Sequence, residues 1–248
     1  MCRAFRSGFE ATFLAALLIV AQVKIAYGGS PDPAQSLGAI TGSVIYEGIV
    51  PRPKLLTVTK DPEICGTKPV YDQSLIVGAE HGLANTVVAA SGPVNSAAAK
   101  PITVRFDQKG CQYIPHVAVF PAGSTVMILN SDGILHNIHT LSTINPPLDI
   151  AQPGFKKEIR VTIAKPETIK VTCDAHNWME GWWYVTNTPY YTLTDRTGHY
   201  VLRDLPPGRY TVKFWHERLG SHSEPIVVKP GQSTTLDFAF KPVTNRGS

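Results

Sequence analysis

Four residues with nitrogen and sulfur donors stand at a spacing suited to a metal: His136, and downstream the run Cys173-Asp-Ala-His176-Asn-Trp-Met179. Two imidazoles and one thiolate in a near-trigonal plane, with a weak axial thioether, suit a copper ion that cycles between Cu(I) and Cu(II) without moving its ligands. Cys173, His176 and Met179 fall within one short loop, which closes at little entropic cost, and His136 supplies the fourth corner from a distant strand. Upstream of the loop, Glu167-Thr-Ile169-Lys-Val171-Thr-Cys173 alternates, so Ile169, Val171 and Cys173 share the inward face of a strand. Zinc fits less well, since its structural sites take Cys and His and a thioether is a poor zinc ligand. No second thiolate stands in the loop for a binuclear copper centre, and no His-x-His pair occurs for the further coppers of an oxidase. The competing reading is a strand-end Cys-x-x-His that serves only packing in a metal-free β-sandwich.

Positioning these donors requires β-structure. Pro and Gly are abundant, Val, Ile and Thr alternate repeatedly, and no long amphipathic helix is evident, so an all-β fold is expected. His139 lies three residues after His136, on the other face of an extended segment. It stands open as a surface acid–base group, an electron entry point or an alternative ligand. His116, following Pro115, has the same ambiguity.

Cys-x-x-His-x-x-Met after a strand, with His136-Asn137 upstream, resembles the cupredoxin family, and the short ligand loop is similar to that of amicyanin-like members. The likeness includes Tyr113-Ile-Pro115 through Ala122-Gly123-Ser-Thr-Val126-Met-Ile128-Leu-Asn130-Ser-Asp132 and covers roughly a third of the chain. It implies a Greek-key β-sandwich holding one type 1 copper on His136, Cys173, His176 and Met179. It also implies that Asn137 ties the ligand loops together, and that the imidazole edge of His176 is the exit to a partner.

A second resemblance follows the copper loop. Thr194-Asp195-Arg-Thr-Gly198-His-Tyr200 and Leu205-Pro-Pro-Gly208-Arg-Tyr210-Thr-Val212 resemble the carboxypeptidase regulatory-like, or transthyretin-like, β-sandwich, a scaffold without common catalytic residues. Ile40-Thr-Gly42-Ser-Val44-Ile-Tyr46 and Ala84-Asn-Thr-Val87-Val-Ala resemble its opening strands. The expected organisation is therefore a discontinuous, smaller sandwich of residues 38–98 and 188–242 with a copper domain, 101–187, inserted between. Ser91–Lys100 and Asn187-Thr-Pro189 would be the linkers. The simpler alternative is two consecutive domains, 38–187 and 188–242. Trp178, Trp182, Trp183, Tyr184 and Trp215 are expected at the interface between the sandwiches, with Trp178 also a candidate cover that keeps water from the copper.

Arg3 and Arg6 precede an apolar stretch from Ala11 to Val23 and a small-residue junction at Ala26-Tyr-Gly28, which reads as a signal peptide over 1–28. The stretch is shorter than the ~20 residues that span a bilayer, which makes a retained membrane anchor the weaker reading, and nothing later approaches a membrane span, so the mature chain is expected to be periplasmic or secreted. Removing 1–28 changes the balance from 23 basic and 19 acidic residues to 20 and 18, with no basic cluster to track a nucleic acid. It also leaves Cys65, Cys111 and Cys173. Pairing Cys65 with Cys111 would leave Cys173 as a free thiolate, as a copper ligand must be. The alternative is that both remain separate thiols.

No nucleophile elbow, phosphate-binding loop or zinc-hydrolase His-Glu pair is present, and four occupied copper positions leave none for substrate. The expected function is electron transfer rather than catalysis, with an unidentified cytochrome or dehydrogenase as partner. A resemblance to methylamine utilization-type exported proteins points the same way, by analogy of fold. The rival classes are a copper carrier, and an extracellular structural or interaction protein with a vestigial copper loop.

Overall fold

The computed structural model describes residues 36–92 and 99–242, besides Met1. The expected signal peptide and positions 93–98 of the first expected linker lie outside the described residues. The chain enters through β1 (Gly38–Tyr46) and, after a long excursion, β2 (Val87–Ser91). The central segment then supplies β3 (Thr103–Gln108), β4 (Tyr113–Ile114), β5 (Val117–Pro121), β6 (Ser124–Asn130) and β7 (His136–Leu141). It continues with β8 (Asp149–Gln152), β9 (Glu158–Ile163), β10 (Glu167–Thr172) and β11 (Glu180–Thr186). The C-terminal part carries β12 (Tyr190–Leu193), β13 (His199–Leu205), β14 (Gly208–His216), β15 (Gly220–Val228), β16 (Ser233–Thr235) and β17 (Phe238–Phe240). The fold is all-β, as the Val/Ile/Thr alternation predicts.

These strands form four sheets that face one another in two pairs. The central segment builds a five-stranded sheet, β5-β11-β10-β7-β8, and a four-stranded one, β4-β3-β6-β9. Between them lies a core of Phe106, Tyr113, Phe120, Ile128, Ile138, Ile169, Val171 and Trp183. In β10 the buried positions are Ile169 and Val171, and Cys173 follows in the same parity, also buried.

The second pair of sheets draws on both ends of the chain. β1 pairs antiparallel with β13 and parallel with β16 and β17, while β2 lies between β12 and β14. Their common core holds Ile40, Val44, Leu83, Val88, Tyr200, Val212 and Phe214. Gly42 is required where β1 crosses the chain between β16 and β17, because a Cβ there would lie 2.0 Å from Leu236 O. At the β12–β13 turn, Gly198 has φ +77°, a conformation glycine adopts without steric cost.

The expected aromatic interface divides by strand parity. Consecutive β11 residues point to opposite faces. Trp182 and Tyr184 turn to the seam between the sandwiches, where Trp215 packs at 5.4 and 5.5 Å from their ring centroids. Trp183 faces the other way, into the central core, against Phe106 at 5.4 Å and Phe120 at 6.3 Å. Trp178, in the loop before β11, packs at the margin of the central core and does not join the seam.

The excursion between β1 and β2 contributes to both pairs of sheets. Its short helix α1 (Pro62–Cys65) delivers Cys65 into the central core, where it is disulfide-bonded to Cys111. Further on, Leu75, Val77 and Leu83 join the other core. Among the described residues no helix is long and apolar enough to cross a membrane.

Candidate metal centre

β7 and the end of β10 meet where the two ligand segments converge. Asn130, buried at the end of β6, shapes the turn into β7: its Nδ2 donates to Ile134 O at 2.8 Å and Gln152 O at 3.0 Å, and its Oδ1 accepts from Gly133 N at 3.1 Å. That turn aims His136 inward at the first residue of β7. β10 pairs antiparallel with β7, with Thr172 opposite His139, so Cys173 emerges beside Asn137, whose N–H lies 3.4 Å from Cys173 Sγ. The loop after Cys173 folds back on itself through Met179 N–H donating to His176 O at 2.9 Å.

His136, Cys173 and His176 are all buried, and their donor atoms lie within 4.8 Å of one another. His136 Nδ1 is 3.0 Å from His176 Nδ1, which is 3.7 Å from Cys173 Sγ. Met179 is buried in the same core cluster. Both imidazoles turn their remaining nitrogen to a carboxylate: His136 Nε2 to Asp132 Oδ2 and His176 Nε2 to Asp61 Oδ2, each at 2.9 Å. A ring that donates its Nε2–H to a carboxylate presents a lone pair at Nδ1. Two such lone pairs facing each other beside a sulfur suit a shared soft cation, and the residues present fit copper by donor type and by placement.

The electrostatics favour the ligating, deprotonated form at Cys173 and His176 and the protonated ring at His136. Burial pushes the Cys173 thiol up, but the His136 ring and the amides of Asn137 and His176 outweigh it and hold it below the usual range. Burial lowers His136, yet Asp132 and Cys173 raise it on balance. Burial dominates at His176 and depresses it despite Asp61. Asp132 would be raised by burial; its bonds to His136 and to the amides of Cys111 and Gly110 bring it below the ordinary carboxylate value.

Asn137 lies at the join of the two loops. Its Oδ1 accepts from Asp174 N at 2.6 Å, and its Nδ2 donates to Asp149 Oδ1 at 2.7 Å and Asp174 Oδ2 at 3.1 Å. Trp178 packs on His176 with ring centroids 5.1 Å apart, and its Nε1–H donates to Cys111 O at 3.2 Å. Cys111 thereby connects three things: the disulfide to Cys65, Trp178 through its carbonyl, and Asp132 through its N–H at 2.9 Å.

The other two histidines lie elsewhere. His139 is partly exposed on the opposite face of β7 and pairs with Asp174 at 3.0 Å. His116 is buried at the seam, where its Nε2 meets Glu217, whose other oxygen accepts from Trp182 Nε1 at 2.8 Å. The exit implied by resemblance is also altered, because His176 has no exposed surface and Asp61 covers its Nε2 edge.

Sequence reading missed both carboxylates. Asp132 stands in the Asn130-Ser-Asp132 run, four residues before His136, but a turn acid there reads as turn chemistry. Asp61 before Pro62 reads as a helix start. Nothing local marks it as the partner of a histidine 115 residues away.

A family model described as the carboxypeptidase regulatory-like domain matches residues 184–241. Among solved structures, a copper-containing nitrite reductase from Thermus scotoductus SA-01 is 25% identical over 38% of this chain and 25% of its own, with a TM-score of 0.33. Amicyanin from Paracoccus versutus is 16% identical over 38% of this chain and 84% of its own, with a TM-score of 0.29. Plastocyanin from Dryopteris crassirhizoma is 16% identical over 34% of this chain and all of its own, with a TM-score of 0.30. The chain thus spans a quarter of the reductase's length. No curated protein matches it. Residues 184–241 are thus similar to a carboxypeptidase regulatory-like domain, and the central segment is a β-sandwich of two sheets.

Proposed function

We propose that this chain binds one copper ion through His136, Cys173, His176 and Met179 and passes single electrons between redox partners outside the cytoplasm. The observation that carries the reading is the convergence of two imidazole nitrogens and one thiol sulfur within 4.8 Å, all on buried residues. Copper would supply reversible one-electron chemistry at a fixed ligand set. The chain's own residues do the rest. Asp132 and Asp61 hold the two rings by their Nε2 atoms, and Asn137 locks the Cys173 loop to β7. Met179 provides the weak fourth donor, and Trp178 lies over His176 to limit water. Four protein donors leave no position for substrate, which favours a carrier over a catalyst.

The export reading is supported by the Cys65–Cys111 disulfide, which persists in oxidising compartments. We read the central segment as an insertion into a discontinuous regulatory-like sandwich, with β1 and β2 pairing to strands beyond residue 188 as its support. The partner would be a cytochrome or a dehydrogenase. Copper titration followed by redox potentiometry tests the function. One copper per chain and a reversible one-electron wave are expected; zinc bound in preference to copper, or copper that cannot be cycled, contradicts it.

A further inference from the structure

Asp61 is an unusual residue for its position. It precedes α1, where an aspartate carboxylate ordinarily accepts from the free amides of the first helical turn. Here it makes no side-chain cap bond, and its backbone sits at φ 49°, ψ 49° in the left-handed region that non-glycine residues seldom adopt. The carboxylate points instead to His176 Nε2, 2.9 Å away. Two anchors hold it there. Pro62 fixes the first helical position, and Cys65, the last residue of α1, is bonded to Cys111, whose carbonyl accepts from Trp178 against the same imidazole. The result is a fully buried His176.

We infer that α1 and the residue before it form a disulfide-tethered cap over the metal centre, with Asp61 as a positioning residue that orients His176 and closes its outer edge to solvent. The inference rests on the copper reading for its redox consequences, while the closure of His176 is a property of the chain itself. A carboxylate accepting the Nε2–H makes the ring a stronger donor, which favours the oxidised metal and lowers the potential. Closing the edge denies small outer-sphere reagents the most direct contact with the ligand. Exchange is then left to a partner that couples through Asp61 or displaces the cap.

Two substitutions separate these roles. Asp61→Asn keeps an acceptor oxygen and loses the charge; Asp61→Ala removes both. In the copper-loaded protein, D61N is expected to raise the reduction potential, whereas Glu80→Gln, exposed and outside the cap, should leave it unchanged. D61A should speed reduction by a small inorganic complex at least tenfold. In the metal-free full chain, carbethoxylation mapped by mass spectrometry should modify His176 at least tenfold faster in D61A and in the Cys65→Ser/Cys111→Ser variant than in the wild type. Equal His176 reactivity in all three chains overturns the cap, whatever the metal. A potential that moves equally in D61N and E80Q overturns the positioning role. A wild type without a copper–thiolate spectrum, combined with a protected His176, defeats the copper reading and leaves the cap standing.

Discussion

Asn137 uses both ends of its carboxamide on the ligand loop, and its backbone carbonyl accepts from Tyr113 Oη at 2.8 Å. Such outer contacts fix a ligand's direction without touching the metal. Asn137→Ala is therefore expected to weaken copper binding about 10–100-fold, measured by competition with a chelator, while leaving the fold intact. An unchanged affinity would show that β7 and the Cys173 loop are held by the ladder alone. At this scale the convergence of His136, Cys173 and His176 was legible, because chemistry restricts such donors to few residue types at tight spacing. The carboxylates were not, since Asp61 and Asp132 acquire their roles only through contacts that a string of residues does not display. His139 and His116 show the converse: both could ligate by type, yet strand parity sends one to the surface and the seam with Glu217 claims the other.

Alternation told which residues of an element go together, but not where each face goes. Trp182, Trp183 and Tyr184 read as one aromatic cluster, and β11 divides them between the seam and the central core. That β1 and β2 are strands was legible in their residues. The course of the excursion between them was not, because a loop rich in Pro and Lys carries no periodicity to say what it covers. Its tether does: Cys65 and Cys111, 46 residues apart, bond the excursion's short helix to the segment just before β4. Removing that cross-link with Cys65→Ser/Cys111→Ser is expected to cost about 2–4 kcal/mol of stability, read by urea unfolding of the metal-free chain. A midpoint and slope equal to the wild type's would mean that the excursion is held by packing alone.

Across the whole molecule, two cores are joined by a small apolar seam with buried polar groups at its edge. His216, at the end of β14, is buried in the same parity as Phe214, with its ring centroid 6.3 Å from that of Phe240, and burial lowers its pKa to about 4, outweighing the opposing pull of Glu217. Its Nδ1 accepts from Arg218 N at 3.3 Å, as a neutral ring can. Since the ordinary histidine value is about 6.5, the unfolded chain binds this proton first as pH falls. The stabilisation is present in full above about pH 6.5 and is lost as pH falls towards 4, by about 3 kcal/mol. His216→Phe should remove this component, so the stability difference between pH 7 and pH 4.5 should shrink relative to the wild type. An unaltered difference would place the acid sensitivity elsewhere.

The central claim concerns Cys173, the one free cysteine among the described residues and one of the three converging donors. The most direct measurement is the optical and electron paramagnetic resonance spectrum of the Cu(II)-loaded protein beside its Cys173→Ser variant. The account predicts an intense thiolate-to-copper band at the red end of the visible spectrum in the wild type and its loss in the variant. A wild type without that band, or a variant that keeps it, would contradict the account.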